Sequence, residues 1–149
     1  MTADVEPESL AWRVAEAMRA SDAATTGAGV ELVDVGPGRA VTRLTVAARH
    51  VNGHGVCHGG YLFLLADSAF AYACNSFGTS TVAAGGEISF LRPGRLGDEL
   101  VARAELRSEV GRSGIYDVTV RVGDTVLAEF RGRSRSVPSM PPPPGLILG

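Results

Sequence analysis

The chain has 149 residues, of which 45% are hydrophobic and 20% are charged, and its net charge is -2 at pH 7. This composition is typical of a globular protein with a substantial core, and we expect one domain over residues 1–149. A net charge so close to zero argues against a broad nucleic-acid-binding face. No apolar run approaches the ~18 residues that cross a membrane, and no leader peptide is evident, so we expect a cytoplasmic protein without a membrane partner.

The first predicted elements are a helix and a pair of strands. Residues 9–24 carry Leu10, Val14, Ala17 and Met18 at helical spacing, which predicts an amphipathic helix capped by Ser9. Residues 29–46 predict two short strands around a Gly-Pro-Gly turn.

The next predicted element is an unusually apolar helix, "GGYLFLLADSAFAYAC", over residues 59–74. One of its faces carries only leucine and alanine, and a second face carries Phe63, Asp67, Phe70 and Cys74. Because both faces are apolar, we expect the helix to be covered on nearly all sides.

The rest of the chain alternates with a period of two. Residues 99–107, 115–122 and 125–133 each place apolar side chains at every second position, and Gly123-Asp124 is a tight hairpin signal. We therefore expect three or four antiparallel strands, with an unpaired Pro-rich tail over residues 137–149. One buried helix and one sheet predict an α+β fold in which the sheet wraps around the helix.

Asp67 is the anomaly in the apolar helix. A buried carboxylate without a partner costs several kcal/mol, so it finds donors, shifts its pKa or takes part in chemistry. An arginine or a hydroxyl group beside Asp67 would make it a structural acid. Without such a partner, a chemical role is favoured.

Gly59 and Gly60 begin the same helix, where backbone N–H groups lack intrahelical partners. The helix dipole there favours negative charge, and the missing side chains let a ligand approach the backbone. The pair can therefore form an oxyanion hole. The alternative is a turn without a ligand.

Gly60 and Asp67 are too far apart to share one reacting carbonyl easily. Seven residues of helix span about 10.5 Å, and the backward lean of the Asp67 side chain recovers only ~2 Å of it. Two copies side by side would place Asp67 of one chain opposite Gly59 of the other. We therefore expect a homodimer with two shared sites.

The motif "NGHGVCHGG" (52–60), followed by Asp67 and by "ISFLRPG" (88–94), resembles the hot-dog-fold acyl-CoA thioesterases, and most of all the phenylacetate-degradation family. "GIYDVTV" (114–120) and "EFRGRSR" (129–135) also fit, so the likeness covers residues 10–136. The resemblance implies a curled antiparallel sheet around a central helix, dimers that pair into tetramers, and hydrolysis of phenylacetyl-CoA or hydroxyphenylacetyl-CoA.

The resemblance also implies roles for individual residues. Asp67 matches the nucleophile or general base, Gly59 the oxyanion donor, Asn52 the residue that positions the thioester or the water, and His58 the residue that supports the loop. The CoA thioester is then the substrate, and no other cofactor is expected. The candidates for holding the CoA moiety are Arg92, Arg112, Ser113, Gly114, Arg131 and Arg133.

The chemistry agrees with these roles. A thiol has a pKa near ~8.5, so the thiolate leaves without a strong acid to protonate it. Thioester cleavage therefore needs one base or nucleophile and one oxyanion site, and neither a metal nor a second carboxylate.

Three rival hypotheses remain. His50, His54 and His58 are spaced four apart, as metal ligands on a helix would be, but Gly53 and Gly55 between them disfavour a helix. A hot-dog hydratase or dehydratase would use His58 and Asp67 to move two protons. The third is a module that binds acyl-CoA without turnover.

Overall fold

In the computed structural model, which describes residues 5–146, the elements follow the predicted order, with a second short helix and a 3-10 turn added before the central helix. The helices and strands in chain order are α1 Pro7–Ala20, α2 Ala23–Gly27, β1 Glu31–Gly36, β2 Arg39–Thr45, a 3-10 turn Ala48–His50, α3 Gly59–Asn75, β3 Thr81–Phe90, β4 Glu99–Val110, β5 Ser113–Val122 and β6 Thr125–Ser136.

The six strands form one antiparallel sheet in the order β1-β2-β4-β5-β6-β3, and α3 contacts all six strands. β1 and β3 are its edges. Apart from two aromatic rings, the inner face of the central strands carries small and branched apolar side chains, which leave room for the helix: Leu44, Leu100, Ala102, Ala104, Val118, Val120 and Ala128 are all buried. The predicted α+β arrangement, with a sheet wrapped around one long helix, is confirmed.

The core is closed by aromatic rings from α3 and the sheet. Phe70 packs edge-on against Tyr116 at a ring-centroid distance of 5.5 Å and lies 5.9 Å from Phe130. Gly132 lies under this cluster, where an added Cβ atom would come within 2.8 Å of the Phe70 ring. Gly132 is thus a packing glycine that lets the helix approach the sheet.

The N-terminal helix differs from the prediction. It begins at Pro7, a residue whose fixed φ suits a first helical position, so Glu6 and not Ser9 is the N-cap. It also ends at Ala20, because Asp22 caps a second short helix by accepting the Thr25 N–H at 3.0 Å. The predicted N-terminal helix is confirmed, but its bounds and its Ser9 cap are wrong, because α1 ends at Ala20 and a second helix, α2, follows it.

The C-terminal tail is not unpaired as predicted. The Val137 N–H donates to the carbonyl of Ser80 at 2.8 Å, and the Ser80 hydroxyl donates to the carbonyl of Pro141 at 3.1 Å. The stiff proline run is thereby held against the turn that leads into β3. Among residues 5–146, no helix has the length and apolar character to cross a membrane.

We expect Gly132→Ala to destabilise the fold by about 1–3 kcal/mol, because the new methyl group overpacks a ring that is itself wedged between Tyr116 and Phe130. Urea unfolding of the purified variant measures the change. Gly27→Ala is the matched control, since a Cβ at this position has no neighbour within 4 Å and the residue is helical. Equal midpoints for the two variants would contradict the packing role.

Candidate active site

The loop that precedes α3 is organised by Asn52. Its side-chain oxygen accepts the N–H groups of His54 at 2.9 Å and Val56 at 3.3 Å, and its own N–H donates to the carbonyl of Val56 at 2.8 Å. The Asn52 side-chain NH₂ has no protein partner within residues 5–146. The hydrogen bonds to the side-chain oxygen fix the orientation of this NH₂ group, which remains available to a ligand.

His58 ends the loop and caps α3. Its ring Nδ1 accepts the Gly60 N–H at 2.8 Å. Gly60 therefore does not offer a free N–H, contrary to the expectation that both glycine amides are open. The Gly59 N–H makes no hydrogen bond in the part of the chain that the structure describes. Of the two predicted oxyanion donors, only the Gly59 N–H is without a partner among residues 5–146, and His58 stabilises the helix start beside it.

A cleft of about 360 Å³ opens beside these groups. Asn52, Gly59 and Arg92 contribute its polar lining, and the other lining residues are Val56, Cys57, Leu62, Phe90, Leu91 and Pro93. Phe90 packs so closely on Gly59 that a Cβ atom there would lie 3.0 Å from the ring. Gly59 is therefore required by the wall of the cleft as well as by ligand approach. The role of Phe90 in the cleft was not predicted, although the residue lies within the motif at 88–94.

Asp67 has the character expected of a reactive acid. It is half-buried on α3, and no hydrogen bond or ion pair to it occurs among residues 5–146. Burial raises the pKa of its carboxyl group above the ordinary value. No fully buried side-chain oxygen in the described residues lacks a partner, so the Asp67 oxygens lie at a surface. The structural explanation, an acid neutralised by arginine, is not what these residues show.

Asp67 does not line the cleft at Gly59 in a single chain. The two residues are eight positions apart on one continuous helix, which is about 12 Å along its axis. Phe63 lies midway between them and leaves 37% of its surface exposed, although it also packs on Phe130 at 5.3 Å. One protomer therefore holds the two halves of the predicted site apart.

The arginines expected to hold CoA are separated in the same way. Arg92 lines the cleft and donates to the carbonyl of Val126 at 2.9 Å. Arg131 makes two hydrogen bonds to Asp117, at 2.7 and 3.0 Å, and lowers the pKa of that carboxyl group. Arg133 lies 3.6 Å from Glu87. Only Arg92 of these three is brought to Gly59.

Of the predicted segment, Arg112 lies in the turn before β5, while Ser113 and Gly114 begin β5 and pair with the end of β6. Phe90 pairs near the beginning of β6, at Ala128, so this turn lies at the opposite end of the sheet from the cleft. Gly114 is buried, and a Cβ there would lie 2.6 Å from the Ser134 hydroxyl. In one chain its role is packing.

The histidines do not converge. His50 is buried and both of its ring nitrogens have protein partners, whereas His54 is exposed and His58 caps the helix. Within residues 5–146 no three side chains of the metal-binding types lie close enough to share an ion. The metal hypothesis therefore has no geometry to support it.

Comparison with known proteins agrees with this architecture. Residues 54–129 match the family model described as the thioesterase superfamily. The chain is 45% identical, over 85% of its length and 91% of the relative, to the acyl-coenzyme A thioesterase PaaI of Escherichia coli K12.

Solved structures show the same likeness. The E. coli PaaI protein from the phenylacetic acid degradation operon superimposes with a TM-score of 0.86 at 43% identity, covering 89% of this chain and 96% of that one. A Streptococcus mutans protein, smu.793, solved bound to acetyl CoA, gives 0.69 at 25% identity and covers 72% and 88%. The predicted hot-dog fold and thioester-hydrolase class are confirmed, and the chain belongs to the thioesterase superfamily.

Proposed function

We propose that this protein hydrolyses aryl-acetyl-CoA thioesters, such as phenylacetyl-CoA or its hydroxylated forms, to the free acid and CoA. The observation that carries the proposal is Asp67, a half-buried carboxylate that has no partner among residues 5–146. It lies on the same helix as Gly59, whose N–H is also without a partner in that range and stands beside an apolar cleft. The relative from E. coli is itself named an acyl-coenzyme A thioesterase.

The chemistry follows from these groups. The thioester carbonyl accepts the Gly59 N–H, where the helix dipole stabilises the oxyanion that forms on attack. The side-chain NH₂ of Asn52 holds the thioester or the attacking water. Asp67 acts as general base or nucleophile, and its raised pKa strengthens it as a base. The thiolate leaves without protonation because its conjugate acid has a pKa near ~8.5.

A second subunit completes this site. Gly59 and Asp67 are each four residues from Phe63 on α3. If two copies of α3 pack antiparallel with Phe63 at the two-fold axis, Gly59 of one subunit lies opposite Asp67 of the partner subunit. The exposed edge strand β3 supports this pairing, because the backbone groups on the outer side of an edge strand can pair with a second strand. The same association would bury the exposed side chains of Phe63 and Phe90.

The same pairing explains the separated CoA-binding candidates. Antiparallel association of two β3 strands brings the Phe90 end of one beside the Thr81 end of the other. Thr81 pairs with Ser136, whose N–H donates to the carbonyl of Arg112 at 2.8 Å. Arg112, Ser113 and Gly114 of the partner subunit thus approach the cleft that Arg92 lines. Arg131 and Arg133 join only by exchanging their carboxylate partners for phosphate.

The assembly and location belong to the same proposal. Two dimers associate into a tetramer in the cytoplasm. Native mass spectrometry of the purified protein tests the tetramer, and a monomer at micromolar concentration would also contradict the shared site.

The direct test is a panel of acyl-CoA substrates assayed with a thiol-trapping dye. We expect release of free CoA to be fastest with phenylacetyl or hydroxyphenylacetyl groups, because aromatic and aliphatic side chains line the cleft. Hydration of an enoyl-CoA, followed by its ultraviolet absorbance, separates a hydratase. Tight binding of all acyl-CoAs without thiol release would contradict hydrolysis and favour a binding module.

We expect Asp67→Asn to reduce kcat by about 10²- to 10⁴-fold, the usual contribution of a positioned base. The same variant should be more stable than the wild type at neutral pH. Burial raises the pKa of Asp67 in the folded state, so its ionised form costs stability above that raised pKa, and the cost disappears as the pH falls below the unfolded value of 3.8. Thermal unfolding between pH 4 and pH 8 measures this.

Asp117→Asn is the matched control for stability. Arg131 lowers the pKa of Asp117, so its ionised form stabilises the fold and the substitution should lower stability at neutral pH. This carboxylate lies on the outer face beside Arg131 and Arg107, away from the cleft. Similar pH profiles of stability for the two variants would argue against an uncompensated carboxylate at position 67.

Mixing two inactive variants tests the shared site. Asp67→Ala and Asn52→Ala chains, unfolded together and refolded, should recover about a quarter of the wild-type activity: half of the dimers are mixed, and each mixed dimer has one intact site. Each variant refolded alone is the control. Recovery no greater than the sum of the separate variants would mean that both residues act within one chain.

A further inference from the structure

We propose that His50 is a positioning residue for the acyl-CoA site, which anchors the Asn52 loop and the start of α3 to the body of the protein without touching substrate. This inference rests on the proposed function. His50 is only 1% exposed. Its ring Nδ1 accepts the Ala47 N–H at 2.9 Å, and its Nε2 lies 2.7 Å from the carbonyl oxygen of Ala28.

These partners assign one tautomer to the ring. A backbone N–H requires an acceptor at Nδ1, and a carbonyl oxygen requires a donor at Nε2, so the geometry places the ring proton on Nε2. The Arg49 Nε–H also points at Nε2, but at 3.4 Å it is the longer contact, and the Ala28 carbonyl at 2.7 Å is the partner that sets the proton. Both nitrogens are thus used within the chain, which leaves no nitrogen to act on a substrate or a metal.

One of the two ring contacts is local in sequence, and the other joins residues that are far apart in sequence. Ala47 precedes the 3-10 turn that contains His50, so the contact at Nδ1 is local and sets the orientation of the ring. Ala28 follows α2 and precedes β1, and the contact at Nε2 therefore joins the loop to a distant part of the fold. The Nε2 contact is the one that fixes where the loop lies.

The rest of His50 extends this anchor to the site. Its carbonyl oxygen accepts the N–H of His58 at 2.8 Å. The edge of the ring also packs against Tyr61 in the first turn of α3, with a centroid distance of 4.7 Å and an interplanar angle of 76°. The two residues that supply the proposed donors, Asn52 and Gly59, lie next to these contacts in sequence. A movement of His50 therefore moves both donors.

Activity should be sensitive to this anchor because a displacement of about 1 Å in a reacting geometry costs about 100-fold in rate. We expect His50→Ala to lower kcat by about 100-fold with a smaller change in KM, since the donors act most strongly in the transition state. Two partial replacements separate the contacts. His50→Gln keeps a donor at the Nε2 position, and His50→Asn keeps an acceptor at the Nδ1 position.

We expect His50→Gln to retain kcat within about tenfold of the wild type and His50→Asn to resemble His50→Ala, because only the glutamine reaches Ala28. Rescue by asparagine and not by glutamine would overturn the assignment of the anchor to Nε2. A wild-type kcat in His50→Ala would overturn the proposal itself.

A general loss of stability is separated by a core control. Val120→Ala removes methyl groups from a buried strand position in β5 and should lower the melting temperature without lowering kcat. Equal losses of kcat in Val120→Ala and His50→Ala at matched melting temperatures would show that His50 is merely structural. In combination with Asn52→Ala, His50→Ala should cost less than the product of the separate losses.

Hydrogen exchange measured by mass spectrometry keeps this inference distinct from the proposed function. Backbone amides of the loop over residues 51–58 should exchange faster in His50→Ala and His50→Asn than in the wild type or His50→Gln. Unchanged exchange in all variants would overturn the anchor. A wild-type protein that hydrolyses no acyl-CoA would refute the proposed function, while the exchange pattern would still decide whether His50 orders the loop.

Discussion

The arrangement depends on one costly choice, a carboxylate on the apolar central helix. Asp67 lies between Phe63 and Phe70 on the side of α3 that faces β6, and among residues 5–146 no donor compensates it. Burial of such a group costs free energy, and a buried acid without a compensating partner is a candidate for chemistry. The sheet buries the neighbouring residues Leu65, Ala66 and Ala69 of α3 completely, whereas Phe63 and Asp67 are only partly covered.

At the start of α3 the excess is of donors, because the first backbone N–H groups of a helix have no intrahelical partners. His58 accepts the Gly60 N–H, whereas the Gly59 N–H has no partner among residues 5–146. The N-terminus of α3 therefore presents the Gly59 N–H as a donor with a defined direction. Asn52 shows the same selectivity, because its side-chain oxygen accepts two N–H groups of the loop while its NH₂ has no partner in the described part of the chain. Hydrogen bonds that satisfy some polar groups and leave others available are what the proposed oxyanion site requires of this helix start.

Much of the fold was predictable because its elements are strongly periodic. The alternation in β4, β5 and β6 and the continuous apolar face of α3 each report burial directly. The predicted bounds of the N-terminal helix were wrong because local chemistry overrides periodicity there. Pro7 starts α1 earlier than Ser9, and Asp22 caps a second helix, α2, within the predicted segment. The prediction of an unpaired tail was wrong because the residue that binds the tail, Ser80, is distant in sequence.

The site was less accessible to sequence than the fold. Motif spacing could place Asn52, Gly59 and Asp67 on a loop and a helix, but it could not show that the Gly60 N–H is occupied, since that depends on the rotamer of His58. Nor could it sort the arginines, because an outward residue on a strand meets whatever its neighbouring strand presents, as Arg131 meets Asp117 through the β5–β6 register. A contact that depends on strand register or on a second subunit produces no periodic pattern in the sequence of one chain. The residues that bind CoA are therefore the hardest part of the site to predict from sequence.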